Sequence, residues 1–223
     1  MYGVMIEERR NKYGERTVIK GKNSDLGIYM HWRSGYDTVV ALLEYCRLKG
    51  YPSLEKDSYG LARLCQVIGN FFGGKDYIGV WNMSDHIDIT PEYVCTRKLD
   101  NGIYEIEDWK IKKHWNPDLV VEEIHREGSL KELLICIDES MPETEQIGKE
   151  VIYAKEVDVS ELRIGDKVYF QKYDGNYEKH KVVGFVNDEE HGQIPYVDFM
   201  GFMGDYSWNG MNYITGKTVR KAI

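Results

Sequence analysis

"GIYMHWRSGYDT", residues 27–38, passes from a strand pattern into the start of a helix, and this change decides the fold. In its first half, successive side chains are expected to point to opposite faces, which is the two-residue period of a strand. Ser34 and Asp37 then have the spacing of a helix capping box, so a helix is predicted to begin here. The predicted strand faces are Ile28, Met30 and Trp32 on one side and Tyr29, His31 and Arg33 on the other.

The flanking sequence supplies partners for this strand and helix. "RTVIKG", residues 16–21, and "LGIYMHW", residues 26–32, are separated by the turn signal "KNSD", which predicts a hairpin. A second helix is predicted from Asp57 or Ser58 to Gly73, because apolar residues recur on one face and glycine is a common helix terminator. Both helices have one apolar face and are expected to pack on the sheet.

Three further strands are predicted before residue 115. They are "DYIGVWN", "EYVCTRKL" and the alternating segment that follows the turn signal Asp100-Asn101-Gly102. The β-β-α-α-β-β-β order predicts an α+β domain over residues 1–115, with a mostly antiparallel sheet covered by two helices.

The rest of the chain changes character twice. Residues 116–150 are acidic and contain one predicted helix, so we interpret them as a helical linker region. Residues 151–223 consist of short strand patterns broken by Gly and Asp-Gly turns, which predicts a small all-β, barrel-like domain.

The formal charge of −8 is unevenly distributed. Residues 1–114 carry a net charge of +1, and residues 115–223 carry −9. General nucleic-acid binding depends on an excess of basic residues, so the composition argues against it. The near-neutral first half remains able to bind one small anion.

The sequence predicts a cytoplasmic protein without a membrane segment. No apolar run reaches the length of a membrane span, and residues 1–16 lack the apolar core of a signal peptide. The four cysteines contain no CxxC pair, so neither a zinc site nor a redox motif is expected. No motif points to a cofactor.

The aromatic helix entrances are the candidate ligand site. A helix start offers free N–H groups, to which Arg33 adds a cation, so an anion could bind there. The opposing interpretation is that the same residues are ordinary helix caps and core side chains. The predicted ligand-binding residues are His31, Trp32, Arg33, Tyr36, Asp57, Tyr59 and Trp81.

Other segments give weaker functional signals. Asp85, His86 and Asp88 could contribute to a metal site only if His31 or His114 joined them, and a solvated turn is the favoured explanation. No dinucleotide-binding, P-loop, zinc-protease or serine-hydrolase motif occurs. The loop "GDYSWNGMNY" is a candidate partner-binding surface through Tyr206, Trp208 and Tyr213, or it closes the end of the small barrel.

Three segments in one order, "GIYMHWRSGYD", "DSYGLARLCQVIGNFFGG" and "DNGIYEIEDWKI", resemble a group of small uncharacterised proteins encoded by bacteriophages and prophages. The resemblance covers residues 25–115. It implies a phage-related protein in the cytoplasm of a bacterial host cell, and it carries over no catalytic residue.

Three functions are therefore compared. The first is a non-enzymatic phage accessory protein that counters host defence by sequestering a small nucleotide-type ligand. The second is a protein inhibitor that docks on a host defence or nucleic-acid enzyme through its acidic second half. The third is a metal-dependent phosphoesterase or hydrolase using His31, Asp85 and His86. A homo-oligomer is compatible with each of them.

Overall fold

A computed structural model describes residues 16–31, 34–73, 78–83, 94, 97–115, 127–172, 175–189, 192–198, 212–214 and 217–223. These residues form four α-helices and two mostly antiparallel sheets, which confirms the α+β class. The chain divides into two compact units, Met1–Glu143 and Thr144–Ile223. None of the helices in the described ranges is long and apolar enough to cross a lipid bilayer.

The sheet of the first unit has five strands in the order β3-β2-β1-β4-β5. All neighbours pair antiparallel except β1 and β4, which are parallel. The strands are β1 (Arg16–Gly21), β2 (Leu26–His31), β3 (Ile78–Asn82), β4 (Ile103–Glu107) and β5 (Lys110–Trp115).

The structure describes three helices of the first unit with their bounds: α1 (Tyr36–Leu48), α2 (Ser58–Phe72) and α3 (Glu127–Ser140). α1 contacts both other helices and also strand β5. Asp57 caps α2 by accepting a hydrogen bond from the Tyr59 N–H, and Gly73 ends it in the left-handed conformation, as the sequence predicts.

Strand alternation gives this sheet two distinct faces. On the helix face, Ile28 and Met30 of β2 are fully buried, as predicted. Tyr104 and His114 also point to the helix face, since the Tyr36 ring of α1 lies 6.0 Å and 6.1 Å from their rings. The second face carries its own apolar cluster of Val18, Met83, Val94, Leu99 and Ile103, against which Tyr29, Trp81 and Trp115 pack.

Three local predictions differ from the structure. Gly35, not Ser34, occupies the N-cap of α1, and no side chain caps that helix, so the capping box is wrong. The end of "EYVCTRKL" is a turn at Arg97 and Lys98, because Lys98 has a positive φ of 54°. The segment from Ile103 to Trp115 is two strands joined at Asp108 and Trp109, which both have positive φ.

The second unit contains the helix α4 (Lys149–Tyr153) and an open sheet in the order β10-β9-β8-β7-β11-β6. Its core includes Val168 and Val182, both fully buried. No pairing between β10 and β6 closes the sheet in the described residues, so the barrel stays a prediction. The strands are β6 (Lys155–Asp158), β7 (Lys167–Gln171), β8 (Tyr177–Asp188), β9 (Gly192–Val197), β10 (Asn212–Tyr213) and β11 (Thr218–Lys221).

Candidate functional site

A groove of about 410 Å³ lies on the second face of the five-stranded sheet. Its volume falls within the range of about 300–1,000 Å³ typical of small-molecule sites. Among the described residues, the lining combines two aromatic rings with three cationic side chains and includes no carboxylate. The lining residues, called the groove below, are Arg16, Tyr29, Gly79, Val80, Trp81, Arg97 and Lys98.

The register between β2 and β3 creates the aromatic part of the groove. Tyr29 pairs with Gly79, and Gly27 pairs with Trp81. Antiparallel partners point to the same face, so each aromatic ring faces a glycine across the ladder and the two rings are diagonal neighbours. Tyr29 and Trp81 contact edge to face, with ring centroids 5.6 Å apart and planes at 71°.

The cationic part comes from β1 and from the turn before β4. Arg97 lies over the Trp81 ring, with its guanidinium carbon 5.8 Å from the ring centroid, in a cation–π contact. Arg16 donates a hydrogen bond of 3.4 Å to the Lys98 carbonyl. The Asp100 carboxylate lies at the margin of the groove, with its Oδ2 3.9 Å from Arg16 Nη1. The described lining residues therefore carry a net positive charge.

Backbone hydrogen bonds fix the turn that carries Arg97 and Lys98. The Gly102 N–H donates to the Leu99 carbonyl at 2.9 Å, and the Asn101 N–H donates to the Arg16 carbonyl at 2.9 Å. The Thr17 hydroxyl, which is fully buried, donates to the Gly102 carbonyl at 2.8 Å. Hydrogen bonds therefore hold the turn with Arg97 and Lys98 against β1. This lowers the entropy cost of ordering the two side chains around an anion.

Of the predicted ligand residues that the structure describes, Trp81 and His31 lie on the groove face. Trp81 lines the groove directly. His31 is the cross-strand partner of Arg16, and its ring lies 6.3 Å from that of Tyr29, so it borders the groove. Tyr36 lies on the helix face against Tyr104 and His114, and the sheet separates it from His31.

The structure does not bring the two helix starts together. α1 begins beside His114, whereas α2 begins beside the β4–β5 turn, where the Lys56 ammonium pairs with Asp108. The Asp108 N–H also donates to Glu55, two residues before the α2 N-cap. His114 and Asp108 lie near opposite ends of β5, six residues or about 20 Å apart, and neither helix start lines the groove.

Of the remaining predicted site residues, three lie away from the groove and four lie outside the described residues. Asp57 is the N-cap of α2, and Tyr59 is 71% exposed beside it. Tyr213 belongs to the second unit, where its ring packs edge to face on Tyr196 at 6.3 Å. Trp32, Arg33, Tyr206 and Trp208 lie outside the described residues.

The proposed metal ligands do not form a site in the part of the chain that is described. His31 points to the groove face and His114 to the helix face, so the two histidines cannot share one ion there. Burial lowers the pKa of His114, whose Nε2 lies 2.9 Å from the Asn101 carbonyl. Asp85, His86 and Asp88 lie outside the described residues, within which no three His, Cys, Asp or Glu side chains are grouped to bind a metal.

Sequence reasoning missed Arg16, Arg97 and Lys98 as parts of one site. Alternation along β2 places Tyr29 on the same face as His31, which was the one signal available. The register with β3 and the turn after Val94 bring the other residues to that face. No family model, curated protein or solved structure matches this chain.

Proposed function

We propose that this chain is a non-enzymatic binding protein that holds a small nucleotide-type ligand in the groove. The observation that carries the proposal is the convergence of Arg16, Arg97 and Lys98 on the Tyr29–Trp81 ring pair. Cations next to aromatic faces fit a ligand that combines a phosphate with a planar base. The site replaces the one predicted at the helix starts and keeps Trp81 and His31.

The phosphate is assigned to the side of the groove formed by Arg16 and Lys98. In the part of the chain that the structure describes, no carboxylate lines this side, and Asp100 is 3.9 Å from Arg16. An anion here gains two cationic partners and competes with that long ion pair. A guanidinium can bind phosphate oxygens in a bidentate manner, whereas the Lys98 ammonium acts as a point charge.

The planar part of the ligand is assigned to the rings and to Arg97. Tyr29 and Trp81 expose apolar ring surface beside the cations, and the Arg97 guanidinium already stacks on an aromatic ring. The seven described lining residues include no cysteine, serine or carboxylate that could act as a nucleophile or general base. These features favour binding over chemical conversion.

The biological setting of the proposal comes from the resemblance to phage-encoded proteins. A phage protein in the cytoplasm of a bacterial host that binds a nucleotide without converting it would act by sequestration, lowering the free concentration of a defence signal. Sequestration depends on stoichiometric binding, so it is tested by affinity and not by turnover.

Titration calorimetry with a panel of ligands tests the groove. We expect mononucleotides or cyclic dinucleotides to bind, inorganic phosphate to bind more weakly, and the corresponding nucleosides to bind least, because both the charge and the ring contribute. Arg97→Ala should weaken nucleotide binding about 2- to 30-fold, since a cation–π contact of a guanidinium with an aromatic ring contributes about 0.5–2 kcal/mol.

Two further variants make the test specific. Lys98→Asn removes the ammonium with a residue that tolerates the positive φ of this position, so reduced affinity reports the charge and not backbone strain. Lys217→Ala removes an exposed lysine of the second unit and should leave affinity unchanged. Equal affinity in all three variants, or no binding by any phosphate compound, contradicts the proposal.

The distribution of acidic residues supports one alternative, a protein inhibitor that meets a basic surface. Residues 115–143 contain 2 Lys+Arg and 8 Asp+Glu, a net charge of −6, whereas residues 144–223 contain 10 and 13, a net charge of −3. The acidic excess is therefore concentrated around α3, where Glu132 and Glu139 are exposed. Replacement of both by Gln should weaken capture of a host protein if this alternative is correct, and should leave nucleotide affinity unchanged.

A further inference from the structure

The turn that carries the groove cations runs across the sheet in one direction. Arg97 lies over the Trp81 ring of β3. The Lys98 carbonyl accepts a hydrogen bond from Arg16 on β1. Asp100 follows two residues later, three residues before β4 begins. Because β1 lies between β2 and β4 in the sheet, the order along the groove is the ring pair, then Arg16 and Lys98, then Asp100.

The Asp100 carboxylate has no strong contact that explains its place in the fold. Its buried Oδ2 accepts no hydrogen bond within the described part of the chain, and Arg16 Nη1, at 3.9 Å, is beyond hydrogen-bond distance. A buried acceptor without a donor lowers stability, so this carboxylate calls for an explanation other than folding. The side chain is 36% exposed beside Arg16, and its charge therefore acts on a ligand that binds there.

We propose that Asp100 makes the groove select nucleoside monophosphates over nucleoside di- and triphosphates. This selection rests on the proposed function, with the base on the ring pair and the first phosphate between Arg16 and Lys98. A polyphosphate chain continues from the first phosphate away from the base, and in this groove that direction leads to Asp100. The like charges repel each other at short range, which is one of the ways in which a binding site rejects a competing ligand.

The three groove cations alone would favour the opposite order of affinities. Arg16, Arg97 and Lys98 attract negative charge, and each further phosphate adds more of it. The Asp100 carboxylate opposes this attraction for the part of the ligand that extends past Arg16. We therefore expect the affinity for a monophosphate to equal or exceed the affinity for a triphosphate with the same base.

Titration calorimetry of the full chain with adenosine mono-, di- and triphosphate tests the selection, in EDTA so that no divalent cation neutralises the phosphates. The unsubstituted protein should bind the monophosphate at least as tightly as the triphosphate. Asp100→Asn keeps the shape and removes the charge, so the affinity for the triphosphate should rise about 3- to 10-fold relative to that for the monophosphate. The matched control, Glu161→Gln, removes one exposed negative charge from the second unit and should leave this ratio of affinities unchanged.

The thermal unfolding midpoint of Asp100→Asn should not fall, because the buried Oδ2 accepts no hydrogen bond that the substitution could break. An unchanged ratio of affinities in Asp100→Asn, or a tighter complex of the unsubstituted protein with the triphosphate, overturns the selection and leaves the nucleotide groove standing. An equal change of the ratio in Glu161→Gln would assign the effect to net charge, and would also overturn the selection. Binding of none of the three nucleotides overturns the selection together with the proposed function.

Discussion

At the scale of single residues, the most consequential polar contact outside the groove is buried between helices. The Tyr45 hydroxyl of α1 donates a 2.9 Å hydrogen bond to the Asp138 carboxylate of α3. Tyr45 is fully buried and Asp138 is 3% exposed. The carboxylate lies away from water, so the phenol is one of the groups that keep it satisfied. This hydrogen bond links α1 to α3, the helix that the sequence predicts within a linker region.

Replacement of Tyr45 by Phe should lower the free energy of unfolding by about 1–3 kcal/mol, because it removes a donor from a buried carboxylate while keeping the ring. Urea unfolding followed by circular dichroism measures the change. Tyr59→Phe, at a tyrosine 71% exposed, is the matched control and should have little effect. Equal stability of the two variants would mean that the buried hydrogen bond contributes nothing net.

Two buried ionisable side chains of α1, Tyr45 and Cys46, lead us to expect a loss of stability in alkaline solution. Burial, with a smaller contribution from Asp138, raises the pKa of Tyr45, and burial also raises the pKa of the Cys46 thiol. Above the ordinary pKa of each group, the unfolded chain releases a proton that the folded chain retains. The protein therefore keeps its full stability below about pH 8.5. Above that pH the free energy of unfolding falls because of Cys46, and above about pH 10 it falls further because of Tyr45.

Each such group contributes a slope of about 1.4 kcal/mol per pH unit once its unfolded form is ionised. Urea titrations between pH 8 and pH 11 measure the slope. The Tyr45→Phe variant should lose less stability per pH unit above pH 10 than the unsubstituted chain. Parallel curves for the two proteins would contradict the assignment to Tyr45.

At the scale of secondary-structure elements, helix α2 contains two glycines in opposite situations. A Cβ at Gly60 would lie 2.2 Å from the Pro52 carbonyl oxygen, so the first turn of the helix packs directly on the preceding backbone. A Cβ at Gly69 would meet nothing within 4 Å. Gly60 is therefore required by a close approach, and Gly69 is not.

We expect Gly60→Ala to lower the free energy of unfolding by about 1–3 kcal/mol, because backbone must move to admit the methyl group. Gly69→Ala should raise it by about 0.5–1 kcal/mol, the difference in helix propensity between the two residues. The paired measurement is chemical unfolding at one temperature. A loss of stability in both variants would show that helix α2 is more closely packed along its length than these contacts indicate.

The elements were predictable where their signals are local. Asp57 and Gly73 mark both ends of α2, and alternation identifies β1 and β2. The turn at Asp108 and Trp109 lacks the usual Asn-Gly signal, so the sequence predicts one strand where the structure has two. The groove depends on the pairing of Tyr29 with Gly79 and on the course of the chain through Arg97. Register and chain path are tertiary properties that no short window of sequence contains.

At the scale of the whole molecule, the cationic groove belongs to a chain with a net charge of −8. Acidic residues elsewhere repel a phosphate ligand at long range, and the three groove cations attract it at short range. Each unit also has its own apolar cluster, around Val18 in the first and Val168 in the second. Binding and stability can therefore be assigned to one unit at a time.

A nucleotide that occupies the groove should stabilise the first unit selectively, since a ligand adds RT ln(1 + [L]/Kd) only to the structure that binds it. At a hundred times Kd this is about 2.7 kcal/mol. Scanning calorimetry should resolve two transitions, with Val168→Ala lowering the one that belongs to the second unit. Nucleotide should raise the other transition, and Arg97→Ala should reduce that shift at the same nucleotide concentration. A ligand-induced rise confined to the transition that Val168→Ala identifies would place the binding site in the second unit and exclude the groove.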